Sequence, residues 1–368
     1  MNPTNALGTF TDTNLLSLSL SYNFATASGM VDIQAIDPAC PSWTKLLDAN
    51  TDGVDNEFRH FHVDPAFAAC IRVGDDFMLT SDGMGPEGDV GVVESIDAAN
   101  GVITLVTPVS RTGIATVSGI GEDDLAIEVA GLRRDVIFEA QDDDVNPMHG
   151  GHLIVFHTPN VVQTITGALF ENFGQDGNIG TYFHEGKAPS QHSVLHSLSH
   201  VQHFSVVVSP SPGRYPVHFH MCGDTASTVS KNVVRNSNQR CFVIHNTNYV
   251  TVDDNVAYDT KGHCFITETG DEQYNTFSNN LGAFNKKLQV GFGQSDTPNH
   301  TPGKHEVAIF WFRNMKNTIV GNVAAGSEVT GYWFEMKDVY GDQLSPLSFK
   351  DNSAHSNFQG LLTYKKGW

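Results

Sequence analysis

The chain has 368 residues, 40% of them apolar and only 17% charged, with Gly 34 and Pro 15. That length suits one long solenoid or two ordinary domains, and the low charge content argues against a disordered chain or a coiled coil. A net charge of −20 with no basic stripe speaks against a nucleic-acid partner and against an anionic membrane surface.

Residues 1–42 are weakly patterned and read as a partial N-terminal segment, within which Leu15 to Leu20 alternate with serine as a strand does. The basic, apolar, small-residue order of a signal peptide is missing there. No run of about 18 apolar residues occurs that would span a bilayer. Residues 43–120 read as a small β module. Ile71 to Leu79, Val90 to Ile96 and Gly101 to Leu105 are its strands, separated by Asp82-Gly83 and Ala99-Asn100-Gly101. The absence of both a signal peptide and an apolar span suits either a cytoplasmic protein or a fragment of a longer exported one, and the stop at Lys365-Lys366-Gly367-Trp368, directly after a strand-like segment, suits a fragment.

Residues 121–368 have a different texture: short strands with frequent Asn, His and Gly. An internal repeat runs through them. Asn232-Val233-Val234, Asn255-Val256-Ala257, Asn280-Leu281-Gly282, Asn322-Val323-Ala324 and Asn352-Ser353-Ala354 begin similar segments, the first three spaced by 23 and 25 residues. Repeats of this length, each with two or three short strands, are coils of a β-solenoid that stack on one another and bury a continuous core.

The repeat sets a register. His245, Glu268 and Glu335 each stand thirteen positions after their asparagine. Side chains alternate faces along a strand. With Phe242, Ile244, Phe265 and Phe334 inward, His245, Glu268, Trp333 and Glu335 point outward. Coils lie about 4.8 Å apart, so these residues form a surface column. Its plain alternative is a solvated face above a ladder of turn asparagines. In the strand before, His218 and His220 share one face while Val217 and Phe219 take the other. Arg214, Asp224, Arg240, His263 and Asp271 fall at nearby strand ends and turns.

Gly213-Arg214-Tyr215-Pro216-Val217-His218-Phe219-His220 with Gly223-Asp224, the run Arg240 to Thr247, Asn255 to Asp259 with Gly262-His263-Cys264-Phe265, Glu268 to Glu272, Ala324 to Glu328, Gly331 to Phe334 and Ala354 to Asn357 occur in this order. Together they resemble the signature of the family of cell migration-inducing, hyaluronan-binding protein and transmembrane protein 2. Gly150-Gly151-His152 fits it too. The resemblance implies an all-β fold: a right-handed, single-stranded parallel β-helix of the pectate-lyase kind with a small N-terminal β module. It implies an extracellular or cell-surface protein that depolymerises hyaluronan with calcium as the cation. Fibrocystin-like surface proteins share the Tyr-Pro-x-His-Phe-His motif and are not known as enzymes. The chain departs from the family in that the glycine-rich domain that usually precedes the helix is missing or truncated. Cys222 replaces a small residue, and residues 172–212 form an insertion rich in His and Ser.

Two chemistries suit the cluster. In glycoside hydrolysis one carboxyl protonates the leaving oxygen and a second acts as base or nucleophile. Glu268 with Asp271 or Asp224 would fill those roles, and His245, His220 or His218 would share the proton work. In elimination, an arginine or calcium neutralises the uronate while a base removes the C5 proton. Arg214, Arg240, His263, Trp333 and Glu335 are the expected substrate-binding residues, Trp333 by stacking on a sugar ring unless it is a core aromatic. His218, His220 and His245 are also candidate ligands of a transition metal. The reading is thus a hyaluronidase-like glycoside hydrolase or lyase acting on hyaluronan or a related glycan. Its alternative is a non-catalytic glycan-binding or adhesion module, which the acidic charge favours.

The five cysteines form no CxxC pair, so a zinc ribbon is not expected. Cys241 and Cys264 occupy equivalent positions in neighbouring coils, as a disulfide or as two stacked thiols. His192, His196, His200 and His203 have helix-face spacing, suiting a metal-binding helix or a solvated loop.

Overall fold

A computed structural model describes residues 16–19, 24–27, 30–83, 88–117, 126–140, 150–175, 215–288, 307–337 and 347–366. Three sheets, of eight, eight and seven strands, run the length of a parallel β-helix. In each, a strand pairs in parallel with its counterpart one coil away: Val233 with Val256, Phe242 with Phe265, Thr228 with Thr251.

The repeat asparagines are what hold the coils in step. Asn232 donates its backbone and side-chain N–H groups to the Asn255 side-chain oxygen, both at 3.0 Å. Asn255 does the same to Asn280, Asn280 to Asn322, and Asn322 to Asn352. Each side chain also donates to a carbonyl of the preceding coil, as Asn255 does to Val229 at 3.0 Å. Asn232, Asn255, Asn280 and Asn322 are fully buried, so a ladder of satisfied amides replaces solvent at this corner. The residue before each asparagine holds a left-handed backbone: Lys231, Asp254, Asn279, Gly321 and Asp351, with φ of 56°, 51°, 52°, 69° and 57°. That sharp turn swings the next side chain into the coil. Gly321 has a second reason to be glycine, because a Cβ there would lie 2.7 Å from the Asn279 side-chain oxygen.

Inside, like residues stack on like. Phe242, Phe265, Phe310 and Tyr332 form a column with ring centroids 4.9, 4.8 and 4.8 Å apart. Ile244 and Phe334 join the same core, as do Val217 and Phe219. The expected alternation of faces therefore holds in these strands.

The N-terminal residues contribute more than a separate segment. Leu16–Ser19, Phe24–Ala27 and Asp32–Gln34 pair in parallel with Val136–Glu139, Leu153–Phe156 and Thr164–Thr166, forming a first coil. The chain then leaves to build the module and returns. The module is a seven-stranded antiparallel sheet ordered Trp43–Lys45, Glu128–Gly131, Asp76–Leu79, Asp89–Asp97, Val102–Ser110, Glu57–His62, Asp48–Thr51. It thus takes Glu128–Gly131 from beyond residue 120. Its core is Phe61, Phe67, Phe77, Leu105 and their neighbours.

Cys241 and Cys264 are joined as a disulfide between adjacent coils, Cys40 and Cys70 form a second, and Cys222 is free and buried. Arg214 and the insertion histidines His184, His192, His196, His200 and His203 lie outside the described residues. No described helix is long and apolar enough to cross a membrane.

Asn255→Ala would strip two N–H groups of Asn232 of their acceptor in a buried corner. Unfolding in urea should show a loss of roughly 2–6 kcal/mol, at about 1–3 kcal/mol per orphaned donor. A loss within experimental error would show that the ladder does not carry the register.

Candidate functional site

His245 and Glu268 meet on the outer side of adjacent coils, whereas Trp333 and Glu335 of the expected surface column are buried. Val217–Asp224 and Phe242–Asn248 pair so that His220 lies opposite His245 and His218 opposite Val243. The pairing breaks just past His220, where Met221 takes a positive φ of 56°. This bulge ends the run of histidines. One coil on, Glu268 follows Phe265–Thr267, and its backbone N–H donates to the Ile244 carbonyl at 3.0 Å. The Glu268 side chain is thereby brought against His245.

Glu268 is the centre of the cluster. One carboxylate oxygen accepts from Arg240 Nη1 at 2.8 Å, and the other lies 3.1 Å from His245 Nδ1. Arg240 is fully buried, its guanidinium 4.5 Å from the centroid of the Tyr215 ring. Burial by itself would raise the Glu268 carboxyl. The Arg240 charge, and after it the His245 hydrogen bond, overturn that and hold it far below the usual carboxylate range. Burial likewise would lower His245. The hydrogen bond and charge of Glu268 outweigh it, and His245 ends above its ordinary value.

The histidines form a chain. His152 Nε2 is 3.2 Å from His218 Nδ1, and His218 Nε2 is 3.3 Å from His220 Nδ1. The His220 and His245 rings meet edge to face at 4.4 Å. Burial, with His152 beside it, pushes His218 well below its ordinary value. Burial and then His245 lower His220. Both are neutral near pH 7. His218 is buried, while His220 and His245 are half-buried and face the outside.

The loop behind Glu268 is tied down by Glu272. This fully buried carboxylate accepts from the backbone N–H groups of Asn246, Thr269 and Gly270, and from the Thr269 hydroxyl.

The structure gathers Glu268, His245, His220 and His218, with Arg240 bound to Glu268 from within. Asp224 lies beyond the bulge, exposed and bound by Asn248 Nδ2 at 2.9 Å. Asp271 is exposed and makes no hydrogen bond or ion pair among the described residues. The second carboxyl expected to work with Glu268 is not among its partners: its two oxygens are taken by Arg240 and His245.

Four residues expected to bind substrate are buried. Arg240 anchors Glu268 from within. His263 accepts from the Ala308 N–H at 3.0 Å and stacks on Trp311 at 4.3 Å. Trp333 does point away from the coil interior, as alternation requires. However, it packs with Tyr215, Val243, Ile266 and Trp311 in a second apolar cluster and is only 1% exposed. Glu335 is 5% exposed and lies 3.9 Å from Arg313 Nε. Alternation decides which side of a strand a residue takes, and an outer layer can still cover it.

His152, Tyr215, Arg313 and Glu272 were not singled out from sequence as parts of the site. His152 sits about 66 residues before His218, and only coil stacking joins them.

Residues 190–361 match the family described as CEMIP beta-helix. The human protein named cell surface hyaluronidase CEMIP2 is 33% identical over 190 residues, covering 42% of this chain and 14% of the relative. Fibrocystin-L of Mus musculus is 28% identical over 324 residues, covering 84% of this chain and 7% of the relative. A cell surface hyaluronidase of Danio rerio is 29% identical over 279 residues, 66% of this chain and 19% of the relative. The chain thus spans less than a fifth of the length of each.

The Glu268–His245 pair has a signed pH dependence. Glu268, lowered from 4.5, stabilises the fold above about pH 4.5 and loses this as pH falls through its folded value. His245, raised from 6.5, contributes fully below about pH 6.5 and loses this as pH rises through its folded value. The difference in melting temperature between wild type and Glu268→Gln should be largest between about pH 4.5 and 6.5. It should shrink on the acid side and, with Arg240 still in place, shrink only in part on the alkaline side. A difference independent of pH would remove the pair from the account.

Proposed function

We propose that this chain, whose residues 190–361 belong to the CEMIP beta-helix family, cleaves hyaluronan or a related uronate-containing polysaccharide at the Glu268–His245–His220 cluster. The observation that carries the reading is one contact: an ionised, Arg240-held Glu268 against Nδ1 of an outward histidine. Two relatives bear the name cell surface hyaluronidase.

Glu268 accepts the Nδ1 proton of His245 and so leaves the Nε2 lone pair directed away from it. That nitrogen can take a proton from water or from C5 of a uronate. The raised proton affinity of His245 favours holding the proton until a leaving oxygen accepts it. A cluster with one ionised carboxylate lacks the carboxylic acid partner that two-carboxylate hydrolysis uses. Histidine is therefore assigned the proton work, and Glu268 the positioning of His245. Calcium takes oxygen ligands. The calcium implied by the resemblance would bridge exposed carboxylates of this acidic chain and the uronates, away from the ring nitrogens. Two disulfides support an oxidising, cell-surface or extracellular setting.

A second reading is a glycan-binding or adhesion module without catalysis. The net charge of −20 favours it, since it opposes approach of a polyanion. The likeness to fibrocystin-L, which extends over 84% of the chain, does so too.

Purified protein incubated with size-defined hyaluronan, with calcium and with chelator, should shorten the polymer. His245→Ala should lower the rate about 10²–10⁴-fold while circular dichroism shows the β-helix still folded. Ultraviolet absorbance of unsaturated uronate would identify elimination; new reducing ends without it would identify hydrolysis. Saturable binding with unchanged chain length, across a panel of uronate glycans, would establish the second reading instead.

A further inference from the structure

We propose that His218, His220 and His245 form a three-histidine site for a divalent transition metal of the zinc class. The inference deepens the reading above by naming a group at the point of cleavage. It rests on that reading only for the substrate, and the binding of the ion stands apart from it.

One nitrogen from each ring lies within 4.8 Å of the others. His218 Nε2 lies 3.3 Å from His220 Nδ1. Tetrahedral ligands at about 2.0–2.1 Å from zinc stand about 3.3–3.4 Å apart, so this pair is already at the spacing of two ligands. Two neutral imidazoles in direct contact gain at most one weak hydrogen bond there. A cation between them and His245 would use all three lone pairs.

The surroundings aim those lone pairs. Glu268 accepts from His245 Nδ1, which leaves Nε2 of that ring free. His152 Nε2 faces His218 Nδ1 and so directs the His218 lone pair to Nε2, on the side of His220. Carboxylate and imidazole partners of this kind orient metal-bound histidines. Arg240 in turn fixes Glu268. The donors are all nitrogens, which selects zinc-class ions over calcium or magnesium. Among the described residues, the half-buried rings of His220 and His245 leave the outer side of the site uncovered, as in zinc sites that keep a position for water or substrate. An ion there would also give a chain of net charge −20 a positive centre for a uronate carboxylate. With the ion in place, the lone pair of His245 is occupied and proton handling passes to bound water.

The test uses the full chain, stripped with chelator, with His192, His196, His200 and His203 changed to Ser so that this tract does not compete. Titration calorimetry with Zn²⁺ should show one equivalent bound, and Co²⁺ should give the visible absorption of a tetrahedral site. His220→Ala and His245→Ala should each abolish that equivalent. Glu268→Gln should weaken it about 10–100-fold, and His355→Ala, at a histidine held by Glu128 at 2.8 Å, should leave it intact. Circular dichroism verifies that the variants are folded; if His245→Ala is not, His220→Gln replaces it. Zinc binding that persists unchanged in the His220 variants, or no stoichiometric binding by the stripped parent, overturns the proposal. Neither result touches glycan cleavage, which is assayed separately with and without added zinc.

Discussion

The buried asparagine ladder is the constraint on which the rest depends. A parallel β-helix has one strand per sheet in each coil, so a slip of one residue in any coil would turn an outward side chain inward. Asn232, Asn255, Asn280, Asn322 and Asn352 prevent this by exchanging two hydrogen bonds per step at one corner. The aromatic column of Phe242, Phe265, Phe310 and Tyr332 repeats the same register in the core. Apolar stacking alone tolerates small slips. The amide ladder does not, because a displaced rung leaves buried donors without acceptors.

This register lets groups far apart in the chain share one chemical environment. His152, His220, His245 and Glu268 come from four successive passes of the chain along the same sheet. The disulfide Cys241–Cys264 links two of those passes immediately before the site strands. Glu272 then fixes the return loop by accepting four hydrogen bonds. The cluster is thus built on paired strands and a tied loop, which favours a fixed geometry over an adaptable one.

Electrostatically the site is organised around a buried ion pair. Removing Arg240 and Glu268 from water is costly, and the cost is met through the 2.8 Å contact, the Tyr215 ring over the guanidinium and the histidine on the second carboxylate oxygen. Such a pair contributes little net stability. What it provides is a charged carboxylate at a fixed place, which sets the tautomer of His245 and raises its proton affinity.

The amino-acid sequence by itself determined the architecture. Asparagine at intervals of 23 and 25 residues, with apolar alternation after each, admits a stacked solenoid and its register, and that register placed His245 against Glu268. It also carried the family motifs, because these are local runs. Only the tertiary structure decided depth and partnership. Trp333, His263, Arg240 and Glu335 share the polarity and spacing of surface residues, yet a second layer of packing covers them. His152 and Glu272 became part of the site through neighbours supplied by other coils. Strand alternation is a property of two adjacent peptide units and can be read along one segment. Burial and ionisation are sums over every group that surrounds a side chain, and those groups come from distant parts of the chain.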